Sequence, residues 1–293
     1  MPDAREAWKI AKESVLAWNE DYAPSMGAAI AYYTLFSLAP LLIIVIAIAG
    51  FFLGEEAAQG EIFAQVRGLL GEEGAAAIQG LVKSASEPAE GVVALIIGLI
   101  ATMIGATAVF GELQSAMDRI WRTPAKKKGD GIMGLVRGRL LAFGMVLGVA
   151  FLLLVSLVIS ALLAALGTLW STAFGGWETV LQIVNVIVSL VVFTVVFAMI
   201  YRFLPRVSVD WRDVWTGAAI TALLFVIGKF LIGLYIGSAG VASGFGAAGA
   251  FVALLVWVYY SAQIFLLGAE FTWVYAHRSG SRVSRPVPEK PVK

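Results

Sequence analysis

Charged side chains are absent from five stretches of this chain, each longer than twenty residues: 22–54, 91–111, 140–177, 179–201 and 230–269. A bilayer core takes roughly 20 apolar residues of helix, because every backbone polar group there must be satisfied within the segment. The pattern therefore predicts an all-α fold, a polytopic membrane helix bundle with six transmembrane helices at 27–53, 91–112, 137–167, 178–204, 213–236 and 245–276. The fourth should end at Pro205, which cannot continue a helix. Ahead of this domain, residues 1–26 place Trp8, Ala11, Val15 and Trp18 at helical spacing among Arg5, Lys9, Lys12 and several acids. That arrangement describes an amphipathic helix lying on the cytoplasmic membrane surface. Pro2 to Asp21 mixes acids and bases with no apolar run, so it is no secretory signal and the first span acts as the insertion signal. Loop 54–90 carries two apolar sets, Ile62, Phe63, Val66, Leu69 and Leu70, then Ile78, Leu81, Val82 and Ala85. They predict two short amphipathic helices that cap the bundle on the extracytoplasmic side. The basic tail 277–293 is expected to be disordered.

Lys and Arg in the connections set the orientation, since cytoplasmic loops retain basic residues. Arg119, Arg122, Lys126, Lys127, Lys128, Arg137 and Arg139 follow the second helix, Arg202, Arg206 and Arg212 follow the fourth, and Arg278, Arg282, Arg285, Lys290 and Lys293 sit in the tail. The opposite side holds only Arg67 and Lys83, so both termini are predicted to be cytoplasmic. Seven acids in the outer loop could repel anions or collect cations, or simply solvate it.

Composition agrees, with 60% hydrophobic and 14% charged residues and a mean hydropathy of +0.87, values outside the range of a soluble domain. A net charge of +1 argues against a nucleic-acid partner. Zero cysteines exclude disulfides and thiolate chemistry, and a single histidine cannot form a histidine metal cluster. The chain has no phosphate-binding glycine loop, HExxH or nucleophile elbow, so it is not expected to be an enzyme or to hold a cofactor or metal.

Polar groups inside the spans are few, and an ionisable residue near mid-bilayer costs about 2.5–3.5 kcal/mol on insertion scales, so each one needs a reason. Lys229 stands sixteen residues into the fifth span, roughly 24 Å deep. Gln182, Asn185 and Ser189 share one face of the fourth span at comparable depth, so Lys229 either meets them or snorkels outward. Near the inner ends of two parallel helices, Glu112 and Glu270 should lie at matching depth, with Arg119 and Arg202 as candidate ion-pair partners. Glu270 continues a stripe of Tyr259, Gln263 and His277. These groups form either a solute or proton pathway or a set of helix-locking contacts. A carboxylate metal site from Glu112, Glu270 and Asp118 is explained more simply by the neighbouring arginines. Pro40, in the middle of the first span, should kink or break it, and broken helices are where secondary transporters place binding sites. Gly144 with Gly148 and Gly233 with Gly237 match small-residue helix packing.

Four segments, AAIAYYTLFSLAPLLI (28–43), GELQSAMDRIW (111–121), YRFLPRVSVDWRDVWTGA (201–218) and FGAAGAFVALLVWVYYSAQIFLLGAE (245–270), resemble the YihY/BrkB family of bacterial inner-membrane proteins, once labelled ribonuclease BN. The resemblance implies a six-helix protein of the bacterial inner membrane and supplies no catalytic residues. The ribonuclease label finds no support, because Lys126 to Lys128 form the single basic patch and read as a contact with anionic lipid headgroups at the cytoplasmic face. Two function classes follow: a transporter or exporter of a lipid-like or small polar solute, and a non-catalytic scaffold or regulatory protein that binds a membrane partner. Membrane lipids and a homo-oligomer are the expected partners.

Overall fold

The computed structural model describes residues 3–86, 108–124, 177–238 and 249–283. Those residues are helical, with no strand among them: α1 (Ala4–Glu20), α2 (Ala23–Leu53), α3 (Glu55–Ser86), α4 (108–120), α5 (Trp177–Phe203), α6 (Trp211–Ser238) and α7 (Gly249–Arg278). The predicted third span, most of the second, the Lys126 to Lys128 patch and the tail beyond 283 lie outside the described residues. Ile183–Phe203, Trp211–Ile232 and Phe251–Arg278 are long and apolar enough to cross a membrane. α2 is likewise free of charge over its 31 residues.

α1 starts at Asp3, whose carboxylate accepts from the Ala4 amide at 2.8 Å. Its two faces serve different neighbours. Ile10 and Ser14 are buried, and the helix packs on α7, while Trp8, Ala11 and Val15 point outward. Trp18, placed with that outward set by the spacing, instead packs against the buried core. A left-handed Tyr22 (φ 59°) turns the chain into α2, and Pro24 occupies its first turn, where a missing N–H costs nothing. α2 is helical through position 40, so the expected outright break does not occur. Membrane helices commonly continue through a proline where neighbouring groups resatisfy the freed carbonyl.

Gly54, at φ +84°, joins α2 to α3 with its amide on the Gly50 carbonyl at 2.8 Å. Helical assignment is then unbroken from Glu55 to Ser86, where the sequence predicts two helices. Gln59 and Val82 nevertheless line one cavity with Ile43 and Ile46, although a straight helix would hold them about 34 Å apart. The segment therefore does not run straight from Gln59 to Val82, and Val66 packs on the same cluster as Ile78. Both apolar sets return to α2: Ile62, Phe63 and Val66 pack on the cluster of buried Ile46, Ile78, Val82 and Leu254.

α4 extends eight residues past the predicted end at 112 and buries Val109, Ala116, Met117 and Ile120 on one face. It closes with left-handed Arg122 (φ 49°), whose amide bonds the Arg119 carbonyl at 3.0 Å while Thr123 bonds that of Asp118 at 2.8 Å. α7 is the hub of the bundle, packed against α1, α2, α3 and α6, and α5 packs on α6. The contact between α6 and α7 is an antiparallel interlock of glycine and threonine. A Cβ at Gly217 would overlap Thr272, and one at Gly268 would overlap Thr221 and Tyr201. The hydroxyls that fill these gaps bond backward within their own helices, Thr221 to the Gly217 carbonyl at 2.8 Å and Thr272 to Gly268 at 2.7 Å, so neither hydroxyl is left without an acceptor.

Candidate functional site

Aromatic and hydroxyl contacts fix the level of each helix against the next. Between α5 and α6, Tyr201 meets Thr221 at 3.0 Å, and Phe225 lies against Phe197 and Phe193 with ring centroids 5.7 and 4.9 Å away. Carrying this register four residues further sets Lys229 level with Ser189 to Phe193. Between α6 and α7, the pairs Gly217 with Thr272 and Thr221 with Gly268 carry on to Gly228, which lies against Tyr260 and Ile264. Lys229 thus shares its level with Tyr260.

Lys229 is half-buried and belongs to the inward stripe of α6, four residues after Phe225 and three before buried Ile232, with Ala218 and Ala222 fully buried below it. It makes no ion pair or hydrogen bond among the described residues. Ser189 is half-buried at the same level and Asn185 lies one turn beyond, exposed; the side chain of Gln182 lies outside the described residues. Tyr259 is exposed and Tyr260 takes the position against α6. Gln263 points the other way, toward α2. Its Nε2 donates to the Pro24 carbonyl at 3.5 Å and occupies the space that a Cβ at Gly27 would take.

Glu270, two turns from Gln263 on the same face, is 1% exposed. It is about ten residues from the Lys229 level, or about 15 Å along the helix, so the two charges lie too far apart for an ion pair. Glu112 is half-buried on α4. Each glutamate sits eight residues before the end of its helix, at 120 and at Arg278. The arginines that the sequence sets beside them have other contacts. Arg119 stands over the Tyr22 ring at 5.5 Å, while Arg202 donates to the Val209 carbonyl and covers Trp211 at 5.5 Å. No group of acids and histidine among the described residues could hold a metal.

Apart from Arg67 with Glu72 on α3, the ion pairs among the described residues gather at the end of the bundle shared by α1 and the last turn of α7. Asp118 bridges Arg206 at 3.1 Å and accepts its backbone amide at 3.0 Å. Arg278 pairs with Glu13, and Ser279 donates to Glu6 at 2.7 Å. Asp213, fully buried in the first turn of α6, accepts the Ser281 hydroxyl at 2.6 Å and its amide at 3.1 Å. Arg282 closes the ring by donating to the Ser208 carbonyl at 2.8 Å and covering Trp121 at 5.0 Å. Asp213 is missing from the residues singled out by sequence. Its partner is 68 positions away, and an acid in a helix's first turn is ordinarily explained by the helix dipole. His277 bonds the Trp273 carbonyl at 2.8 Å, which ties it to its own helix and not to a pathway.

No solved structure matches this chain. Among curated proteins it is 28% identical over 278 residues to a UPF0761 membrane protein of Stenotrophomonas maltophilia (strain K279a), covering 93% of this chain and 62% of that one. It is also 28% identical to UPF0761 membrane proteins of Tolumonas auensis, over 60% of this chain and 56% of that one, and of Pseudomonas aeruginosa, over 85% and 58%. The chain spans about three fifths of the length of these relatives. The family profile described as virulence factor BrkB matches residues 15–291. With helices long and apolar enough to cross a membrane and a family match over nearly its whole length, the chain belongs to the BrkB family of integral membrane proteins.

Proposed function

We propose that the protein is a bacterial inner-membrane transporter or exporter that moves a lipid-like or small polar solute through a six-span bundle with both termini in the cytoplasm. One observation carries the reading: Lys229 lies on the inward stripe of α6 with no ion pair or hydrogen bond among the described residues. A cation in that position costs several kcal/mol unless it meets an anionic or polar group, and a passing headgroup supplies one. Glu270, about 15 Å along the neighbouring helix, adds a second charge of opposite sign, so a solute with both charges has a contact at either level. Ser189, Asn185 and Gln182 on α5 extend the Lys229 level, Tyr259 and Gln263 flank it on α7, and Glu112 extends the Glu270 level. Arg119, Arg122, Arg202, Arg206, Arg278 and Arg282 gather at one end of the bundle, which supports a cytoplasmic face for that end and contact with anionic headgroups there. The reading assigns no catalysis and no cofactor.

A second reading, a non-catalytic membrane scaffold or regulatory protein that binds a membrane partner, draws on a separate observation. In the α5 to α7 core Phe197, Tyr201 and Phe265 pack with ring centroids 5.3–6.4 Å apart, and Phe193 and Phe225 join them, as in an adhesive bundle. The two separate in proteoliposomes. Purified protein is reconstituted with a phospholipid bearing a fluorophore on a short acyl chain, and leaflet exchange is read by quenching from outside. Transport predicts exchange well above protein-free vesicles; a scaffold leaves the two alike.

A further inference from the structure

A cleft of about 350 Å³ lies between α2 and α3, away from Lys229 and Glu270. Its walls are Ile43, Ile46, Ala47 and Val82, and its rim carries Glu55 and Gln59, one turn apart on α3. Glu55 is the one charged residue in the lining, and exposed Glu56 follows it. Of the two bases on α3, Arg67 is bridged to Glu72 at 2.9 Å, and Lys83 is exposed next to Val82. The cleft therefore joins an apolar floor to an anionic, hydrogen-bonding rim, and charge complementarity selects its occupant.

We infer that this cleft binds the amine-bearing end of an amphiphile, with the ammonium on the Glu55 carboxylate and the Gln59 amide oxygen and the first carbons of the chain against Ile43, Ile46 and Val82. The volume is at the low end for ligand pockets and holds about twelve water-sized groups, enough for a headgroup and a short length of chain but not a whole lipid. The remainder of the chain runs into the bilayer beside α2. The inference stands without the transport reading, since a site of this kind serves a resident lipid as well as a solute being loaded. Membrane phospholipids with amine headgroups and free long-chain amines share this chemistry.

The full chain in lipid nanodiscs is photolabelled with a diazirine-bearing alkylamine, and with the alcohol and sulfate of the same chain length. Crosslinks are then mapped by peptide. Labelling at residues 43–59 and around Val82 should favour the amine about tenfold over the other two. Glu55→Gln, at an exposed position, should remove that preference without changing the melting temperature, and Ala47→Phe should block labelling of the cleft by all three probes. A second arm compares photoactivatable phosphatidylethanolamine with phosphatidylglycerol: preference for the former assigns the membrane as source, and its absence, with amine labelling retained, assigns a free amphiphile. Equal labelling by amine and alcohol, preference for the sulfate, crosslinks elsewhere or an unchanged Glu55→Gln profile would overturn the inference.

Discussion

Threonine and glycine set the approach of α6 to α7 residue by residue, and that is where a single methyl matters most. Gly268→Ala would drive a Cβ into Thr221 and Tyr201, so it should cost about 1–3 kcal/mol, as overpacking does in a filled core. Thermal unfolding in detergent reads the loss. Adding Thr221→Ala should return part of it, because the two side chains compete for one space and their effects cannot be independent. Little of this was legible beforehand. The chain has 31 glycines, and Gly217 and Gly268, which form the interlock, have no second glycine at four-residue spacing to single them out; Gly144 with Gly148 lies outside the described residues. Spacing along one helix says nothing about the threonine that faces it. For Lys229 the sequence leaves two placements, since a cation in an apolar run either snorkels or faces protein; it stands half-buried, four residues after Phe225 and three before buried Ile232. The Asp213 to Ser281 contact has no local signature at all, since a capping acid reads the same whether or not a distant hydroxyl meets it.

Among the elements, α5, α6 and α7 follow the apolar runs to within a few residues, because length and the absence of charge suffice to mark a span. α3 does not follow so simply. Two apolar sets predict two helices, whereas helix spans Glu55–Ser86 even though Gln59 and Val82 line one cavity. Helical geometry alone therefore misjudges where this segment goes; the shared cavity of Gln59 and Val82 reveals it. Spin labels at Gln59→Cys and Val82→Cys should report a distance well below the roughly 34 Å of a straight helix. A distance near that value would restore the straight helix and separate the two apolar sets. α1 shows the opposite lesson. Its amphipathic pattern was legible, but the face holding Ile10 and Ser14, which docks on α7, cannot be told from the face holding Trp8 and Val15 by hydrophobicity alone. Trp18, which belongs to the first by packing and to the second by spacing, marks the boundary.

For the whole molecule, the ring of Glu13 with Arg278, Asp118 with Arg206 and Asp213 with Ser281 brings α1, α4, the α5 to α6 turn and the end of α7 to one end of the bundle. Arg119, Arg122, Arg206, Arg278 and Arg282, described members of the basic connections read from sequence, lie in or beside these segments. Single cysteines at Ser84 and Ser279 test the proposed cytoplasmic face of that end in intact cells with a permeable outer membrane. An impermeant reagent should label the first and spare the second until lysis; the reverse would invert the bundle. Transport is the larger claim, and Lys229 carries it. Lys229→Met retains the length and apolar stem of the side chain and deletes the charge. The decisive measurement is leaflet exchange of the short-chain fluorescent phospholipid in proteoliposomes of wild-type protein and of this variant, with melting temperatures recorded for both. Exchange that falls at least tenfold in Lys229→Met at an unchanged melting temperature is the predicted result, whereas equal exchange in wild type, variant and protein-free vesicles would contradict it and leave the protein a scaffold.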